Sequence, residues 1–294
     1  MRLPQLDERT IALAIPGLGE VHPPLRGGQR LVFPCTIDGK KYALKVMLAD
    51  EGRGANDPSG AETRARREVD ILRRCEAGYL ATAGPIDVTA AEIAGQRIVY
   101  FAEEWIEGRD LRTILRQDGP LPFATVARLG RNIALAVDAL WALGVIHRDV
   151  KPGNIMCRQP SGEFLLVDLG LALTADVRSS EAARQPGTRI YFSPERLQAN
   201  SDMDLDQRSD LFSLGIVLYE ATTGFHPFSL PIADDLAMQS RIVALTPLRP
   251  SSYRPGVPPQ LSYVIMRLLA KKPVQRLRSG ALVAEALATC CKGR

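Results

Sequence analysis

Residues His147 to Asn154 read HRDVKPGN, and Asp168-Leu169-Gly170 begins fourteen residues after Asn154. One short stretch of chain therefore collects a carboxylate (Asp149), an ammonium (Lys151) and two hard-oxygen side chains (Asn154 and Asp168). Such a set suits phosphoryl transfer, whose loose transition state spreads charge over oxygens and leaves the protein to position groups and neutralise charge. Around Asp168 the run FLLVDLGLAL reads as an apolar strand that delivers a carboxylate and then a glycine turn. That arrangement aims one side chain into a cleft.

HRDVKPGN, then Asp168-Leu169-Gly170, then Ser193-Pro194-Glu195, form an ordered series that resembles the signature of eukaryotic-type (Hanks-type) Ser/Thr protein kinases. The likeness runs from about Leu25 to about Ala286, and motifs in this order are more specific than any one alone. It implies an α+β, two-lobed fold: a small antiparallel β-sheet lobe with one main helix, then a larger, mostly helical lobe. The expected boundary gives an N-terminal lobe of 1–104 and a C-terminal lobe of 105–294. By the same resemblance Asp149 is the base for the acceptor hydroxyl, Lys151 faces the γ-phosphate, and Asn154 and Asp168 hold Mg²⁺, or Mn²⁺ in its place. His147 is expected to pack and hydrogen-bond backbone beneath the metal-binding loop rather than to transfer protons.

Composition agrees without deciding the matter. A chain of 294 residues suits two lobes with a normal apolar core. Lys plus Arg exceed Asp plus Glu by four, short of a nucleic-acid signature. The five cysteines, Cys35, Cys75, Cys157, Cys290 and Cys291, have no paired metal-ligand spacing and read as reduced thiols of a cytoplasmic protein. No apolar run approaches about 18 residues and the N-terminus lacks the order of a signal peptide, so no membrane insertion is expected.

Leu31 to Ile37 and Lys41 to Met47 read as a strand pair joined by Asp38-Gly39, a dipeptide that favours a tight hairpin turn. Lys45 in the second strand resembles the lysine that holds the α- and β-phosphates of ATP. Glu68, on a helix whose apolar face is Val69, Ile71 and Leu72, is its natural ion-pair partner, with Glu62 and Glu76 bracketing it. Asp50 to Ala61 is polar and Gly-rich and reads as a loop. The nucleotide-covering loop departs from the family: Leu25-Arg26-Gly27-Gly28-Gln29-Arg30-Leu31-Val32 keeps two glycines where the pattern has three. Gly27 and Gly28 still let backbone N–H groups approach phosphate, with Val32 and Ala43 lining the nucleotide site.

Aligned with the family hinge, RIVYFAEEWIEGRDL gives Glu104 the carbonyl and Ile106 the N–H that read adenine, and Asp110 the ribose contact. The same alignment sets Glu103 at the back of the nucleotide pocket, where a carboxylate without a partner is costly. Either the register shifts by one and Ala102 stands there, or the pocket is unusual. Leu111 to Arg116 and Phe123 to Leu143 carry helical periodicity, the second with Val126, Leu129, Ile133, Val137 and Leu140 on one face.

Thr174 to Arg189 aligns with an activation segment, where Thr188 would bond Asp149 and Lys151 and mark Ser/Thr specificity. Ser179 and Ser180 are its candidate regulatory phosphosites, since phosphate there would pair with Arg148; Thr188 is a further candidate. Asp210 is expected to brace the catalytic loop and Arg276 to pair with Glu195. The resemblance thus implies ATP-dependent, Mg²⁺-dependent phosphorylation of protein substrates in signalling, with autophosphorylation. The alternatives are a nucleotide-binding pseudokinase or scaffold, or a small-molecule kinase of the same fold. Neither nucleic acid nor a membrane is an expected partner, and a homodimer through the small lobe is left open.

Overall fold

The Asp38-Gly39 hairpin shows how local sequence sets the first sheet. Both residues adopt positive φ (51° and 75°), and Ile37 pairs directly with Lys40, which makes a two-residue turn whose twist matches the flanking strands. A side chain at Gly39 would be strained in that backbone. The computed structural model describes residues 5–26, 30–49, 60–75, 78–174, 189–198, 205–229, 235–288 and 290. By contacts they fall into two compact units, one of residues up to 75 with 81–106, the other of 78–80 with 107 onward.

The first unit begins with helix α1 (Glu8–Ala14), followed by strands β1 (Leu18–Val21), β2 (Leu25–Arg26), β3 (Leu31–Ile37) and β4 (Lys40–Leu48). Helix α2 (Ala61–Arg74) and strands β5 (Thr89–Ile93) and β6 (Gln96–Glu104) complete it. The strands form one antiparallel sheet ordered β1-β3-β4-β6-β5, with β2 also paired to β3. Its two faces bury separate clusters. Leu31, Phe33, Cys35, Ile37, Leu44, Val46, Ile98, Tyr100 and Ala102 lie on one, covered by Leu6, Ile11 and Ile15 around α1. Met47, Val99 and Phe101 lie on the other, against Ala61, Ala65 and Val69 of α2.

Two expectations change here. Sequence reading gave the small lobe one helix and missed α1, although Asp7 caps it by accepting the Thr10 N–H at 2.8 Å and Ile11 and Ile15 stand one turn apart. Ala61, assigned to the loop from Asp50, is instead the first residue of α2, because its methyl is buried in the helix–sheet cluster.

The second unit opens with β7 (Gly108–Asp110), α3 (Leu111–Asp118) and the long α4 (Phe123–Ala142), then β8 (Val145–Ile146), β9 (Ile155–Arg158), β10 (Phe164–Leu166) and β11 (Leu173–Thr174). Among the described residues there follow α5 (Pro194–Gln198), α6 (Gln207–Thr223), α7 (Asp235–Ala244), α8 (Pro259–Leu268) and α9 (Gly280–Ala288). Helix α6 is buried almost all round, which makes it the axis on which α4 and α8 pack. Helix α9 meets α4 so closely that a Cβ on Gly280 would lie 2.0 Å from the Ala134 carbonyl oxygen. Short strands β10, β9 and β7 form a small antiparallel sheet, and β11 pairs with β8. No described helix is long and apolar enough to cross a membrane.

Candidate active site

The first unit's polar cluster follows from strand register. Val32 pairs with Lys45, Lys45 with Phe101, and Ala43 with Glu103, so these side chains share the sheet face that α2 covers. The Lys45 ammonium lies 2.8 Å from Glu68 Oε1 and 2.7 Å from Glu103 Oε2, with all three residues buried. It also sits 5.7 Å from the centre of the Phe101 ring, within cation–π range. Glu68 is further held by Arg30, whose Nη1 donates to both carboxylate oxygens at 3.1 and 3.0 Å. Glu62 instead bonds Arg66 on the exposed side of α2.

Glu103 therefore has the partner whose absence made it costly in sequence, and Ala102 points to the opposite face, into the cluster under α1. Burial, above all, pushes the Glu103 carboxyl above the usual carboxylate range against the pull of Lys45, and the Glu68 charge adds to the rise. Glu104 accepts from the N–H and hydroxyl of Thr82, both at 3.2 Å, and Ile106 is buried at the end of the unit. Gly27 and Gly28 lie outside the described residues.

In the second unit, Asp110 caps α3: its carboxylate accepts the Thr113 N–H at 3.0 Å and the Thr113 hydroxyl at 2.7 Å. The catalytic-loop segment is hung from α6. Asp210, on that helix, accepts the His147 N–H at 2.7 Å and the Arg148 N–H at 2.8 Å. Burial raises the Asp210 carboxyl above its ordinary value, while His147, the two N–H groups and Arg196 pull it down. His147 is fully buried; its Nδ1 faces the Asp149 N–H at 3.2 Å and its Nε2 the Val167 carbonyl at 3.3 Å. With Nδ1 accepting, Nε2 is the donor, so the ring serves as a backbone brace. Arg148 takes φ +67°, and its carbonyl accepts a hydrogen bond from Arg196, a residue that sequence reading did not single out.

On this brace the polar side chains converge. Lys151 Nζ is 2.8 Å from Asp149 Oδ2, and the Asn154 amide donates to the same oxygen at 2.8 Å and to the Asp149 carbonyl at 2.9 Å. Asp149 Oδ1 is buried and has no hydrogen-bond partner among the described residues. Because the Asn154 NH₂ group is committed to Asp149, its amide oxygen is turned the other way. The Val167 N–H donates to the Asn154 carbonyl at 2.9 Å, which ties the chain entering Asp168 to the turn carrying Asn154. Asp168 itself adopts φ +67° and accepts the Gly170 N–H at 3.2 Å.

An amide oxygen and a carboxylate are hard donors that fit Mg²⁺ or Mn²⁺, and two protein ligands leave room for substrate phosphates. No cluster of three or more His, Cys, Asp or Glu suited to a metal occurs among the described residues. Ser179, Ser180 and Thr188 lie outside the described residues. Downstream, the Arg276 guanidinium meets the Glu195 carboxylate at 2.6 and 2.7 Å and also donates to the carbonyls of Arg208, Ala270 and Lys271.

Comparison with known proteins gives the family. Residues 26–288 match the family model described as the protein kinase domain. The chain is 34% identical over 257 residues to serine/threonine-protein kinase PknH of Mycobacterium tuberculosis, covering 86% of this chain and 38% of that protein. It is 34% identical over 254 residues to PknE of Mycobacterium bovis (85% and 42%), and 34% over 244 residues to PknB of Mycobacterium leprae (82% and 37%), both also serine/threonine-protein kinases. The chain thus spans about two fifths of the length of these relatives. With its lysine–glutamate pair, its braced HRD loop and a match over most of its length, the chain belongs to the protein kinase domain family.

Proposed function

We propose that this domain transfers the γ-phosphoryl group of ATP to serine and threonine hydroxyls of protein substrates. The observation that carries the reading is the Asp149 carboxylate, with Oδ2 held by Lys151 and Asn154 and the buried Oδ1 bare among the described residues. A substrate hydroxyl donating to Oδ1 gives up its proton to Asp149 as its oxygen bonds to the γ-phosphorus, and the bond to the bridging oxygen breaks to release ADP. Lys151 neutralises charge on the transferring group, and Lys45, oriented by Glu68, holds the α- and β-phosphates. Asn154 and Asp168 would hold the divalent ion, which supplies charge neutralisation at the phosphate oxygens. Val32 and Ala43 supply apolar surface, and Glu104, Ile106 and Asp110 the adenine and ribose contacts.

Autophosphorylation of Ser179, Ser180 or Thr188 and a signalling role belong to the same proposal. So does a cytoplasmic location, in keeping with the buried free thiols of Cys35 and Cys157; burial pushes the Cys35 thiol up to about 11. A second reading, a nucleotide-binding pseudokinase, draws support from the engagement of Lys45 by two carboxylates. Metal-dependent ADP release from ATP in the presence of a basic protein substrate separates the two. The parent is expected to turn over, to stop when the metal is chelated, and to lose about a thousandfold on Asp149→Asn. Nucleotide binding with no turnover in the parent would favour the pseudokinase.

A further inference from the structure

Glu103 is a buried charged group that the reaction as described leaves unused. Among the described residues it faces, from β6, the charged side chains of Lys45 on β4, Glu68 on α2 and Arg30 just before β3. Among the described residues these four make a cluster of two cations and two carboxylates, and Lys45 lies within hydrogen-bond distance of both carboxylates. The Glu68 contact orients Lys45 for phosphate. The Glu103 contact does something different, because a second carboxylate offsets the positive charge with which Lys45 would attract phosphate oxygens.

Resting on the reading of Lys45 as a phosphate-holding residue, we propose that Glu103 is a positioning residue that competes with nucleotide phosphate for Lys45 and takes up a proton from solvent as the nucleotide binds. Protonation removes one negative charge from the cluster while leaving the Glu103 carbonyl oxygen able to accept from the Lys45 ammonium. Lys45 keeps its place and regains its charge for the phosphates. The geometry suits this exchange: Glu103 is buried, lies beside a like-charged neighbour in Glu68, and touches the cation that the ligand requires. Burial already holds its carboxyl above the ordinary carboxylate range. Nucleotide affinity then rises as pH falls, and the cluster becomes a pH-responsive gain control on the domain.

The test is calorimetric titration of Mg²⁺-ADP into the full chain and into Glu103→Gln, from about pH 6 to about pH 8, in two buffers of different ionisation enthalpy. At the alkaline end the free diphosphate is fully deprotonated and the Lys45 cation favours keeping it so, which assigns net uptake there to the protein. The parent is expected to take up protons on binding and to bind about tenfold more tightly at the acidic end than at the alkaline end. Glu103→Gln, which keeps an acceptor for Lys45 but not the charge, is expected to bind about tenfold more tightly than the parent near pH 8 and to lose the pH response. Equal pH responses in the two proteins, or weaker binding by the variant with the response retained, would overturn the proposal. Should the variant not fold, the parent decides alone, since binding without proton uptake would also overturn it. No binding by a folded parent would instead defeat the assignment of Lys45 to phosphate and, with it, this inference.

Discussion

Replacing Asp210 by alanine tests how the catalytic loop is held. The Asp210 carboxylate accepts two buried backbone N–H groups, from His147 at 2.7 Å and Arg148 at 2.8 Å. Without an acceptor, each buried donor costs about 1 to 3 kcal/mol, so the pair predicts a loss of about 4 kcal/mol. Asp210→Asn keeps an oxygen for one N–H but turns an NH₂ group toward the other, and about half that loss is expected. A further consequence is local. Arg148 stands at φ +67°, a conformation that costs a non-glycine residue about 1 to 2 kcal/mol, and the bond to Asp210 helps to hold it there. Released, the loop relaxes and Asp149 loses its aim. Urea unfolding followed by a probe in the second unit gives the stability loss, and phosphate transfer at low temperature, normalised to folded protein, gives the activity. The alanine variant should be destabilised by about 4 kcal/mol and, in its folded fraction, lose kcat more than affinity for ATP. An alanine variant that unfolds within about 1 kcal/mol of the parent would refute the reasoning.

Three other outcomes follow from the packing and the buried charges. Ile11→Ala should destabilise the first unit by about 3 kcal/mol, because Ile11 is fully buried against the sheet; a change below about 1 kcal/mol in thermal or urea unfolding would mean that α1 does not cover that face. Glu220 accepts from the Tyr191 hydroxyl at 2.9 Å, and burial pushes its carboxyl up to about 7, so it favours the folded state less as pH rises from about 4.5 to 7. His226, nearby on the same segment through Ile190 and Tyr191, is pushed by burial down to about 4 and favours the folded state less as pH falls from about 6.5 to 4. The two slopes oppose each other, so Glu220→Gln should uncover a loss of about 3 kcal/mol on acidification through that window, and equal pH profiles of parent and variant would contradict this. Arg196 stacks 3.5 Å from the centre of the Phe192 ring and donates to the Arg148 carbonyl; Arg196→Met should lower kcat about tenfold with nucleotide affinity kept, and an unchanged kcat would remove it from the loop's support.

How much of this was legible in the sequence depends on how local each signal is. The Asp38-Gly39 turn fixed the β3–β4 hairpin almost to the residue, since the turn type needs the positive φ that those residues tolerate. The apolar spacing from Val126 to Leu140 gave α4, expected over Phe123–Leu143 and observed over Phe123–Ala142. The Asp149, Lys151 and Asn154 set was visible because its spacing is local to the one loop that carries it, and the three side chains do meet. Helix α1 was missed: two turns with Ile11 and Ile15 facing in give too short a period to separate from chance, and its stability comes from the sheet it covers. The Glu103–Lys45 contact was out of reach because a diagonal pair across two strands depends on register, which one residue's shift would reverse. The same holds for Arg30 on Glu68 and Arg196 on the Arg148 carbonyl, where partners lie 38 and 48 positions apart.

The most direct test of the central claim is to incubate the protein with Mg²⁺ and ATP, with Asp149→Asn in parallel, and to locate incorporated phosphate by mass spectrometry. Phosphate on serine or threonine of the chain or of an added protein, present with the parent and absent with the variant, is the predicted result. Phosphate in neither case, while ATP still binds the parent, would contradict phosphotransfer and leave a nucleotide-binding domain in its place.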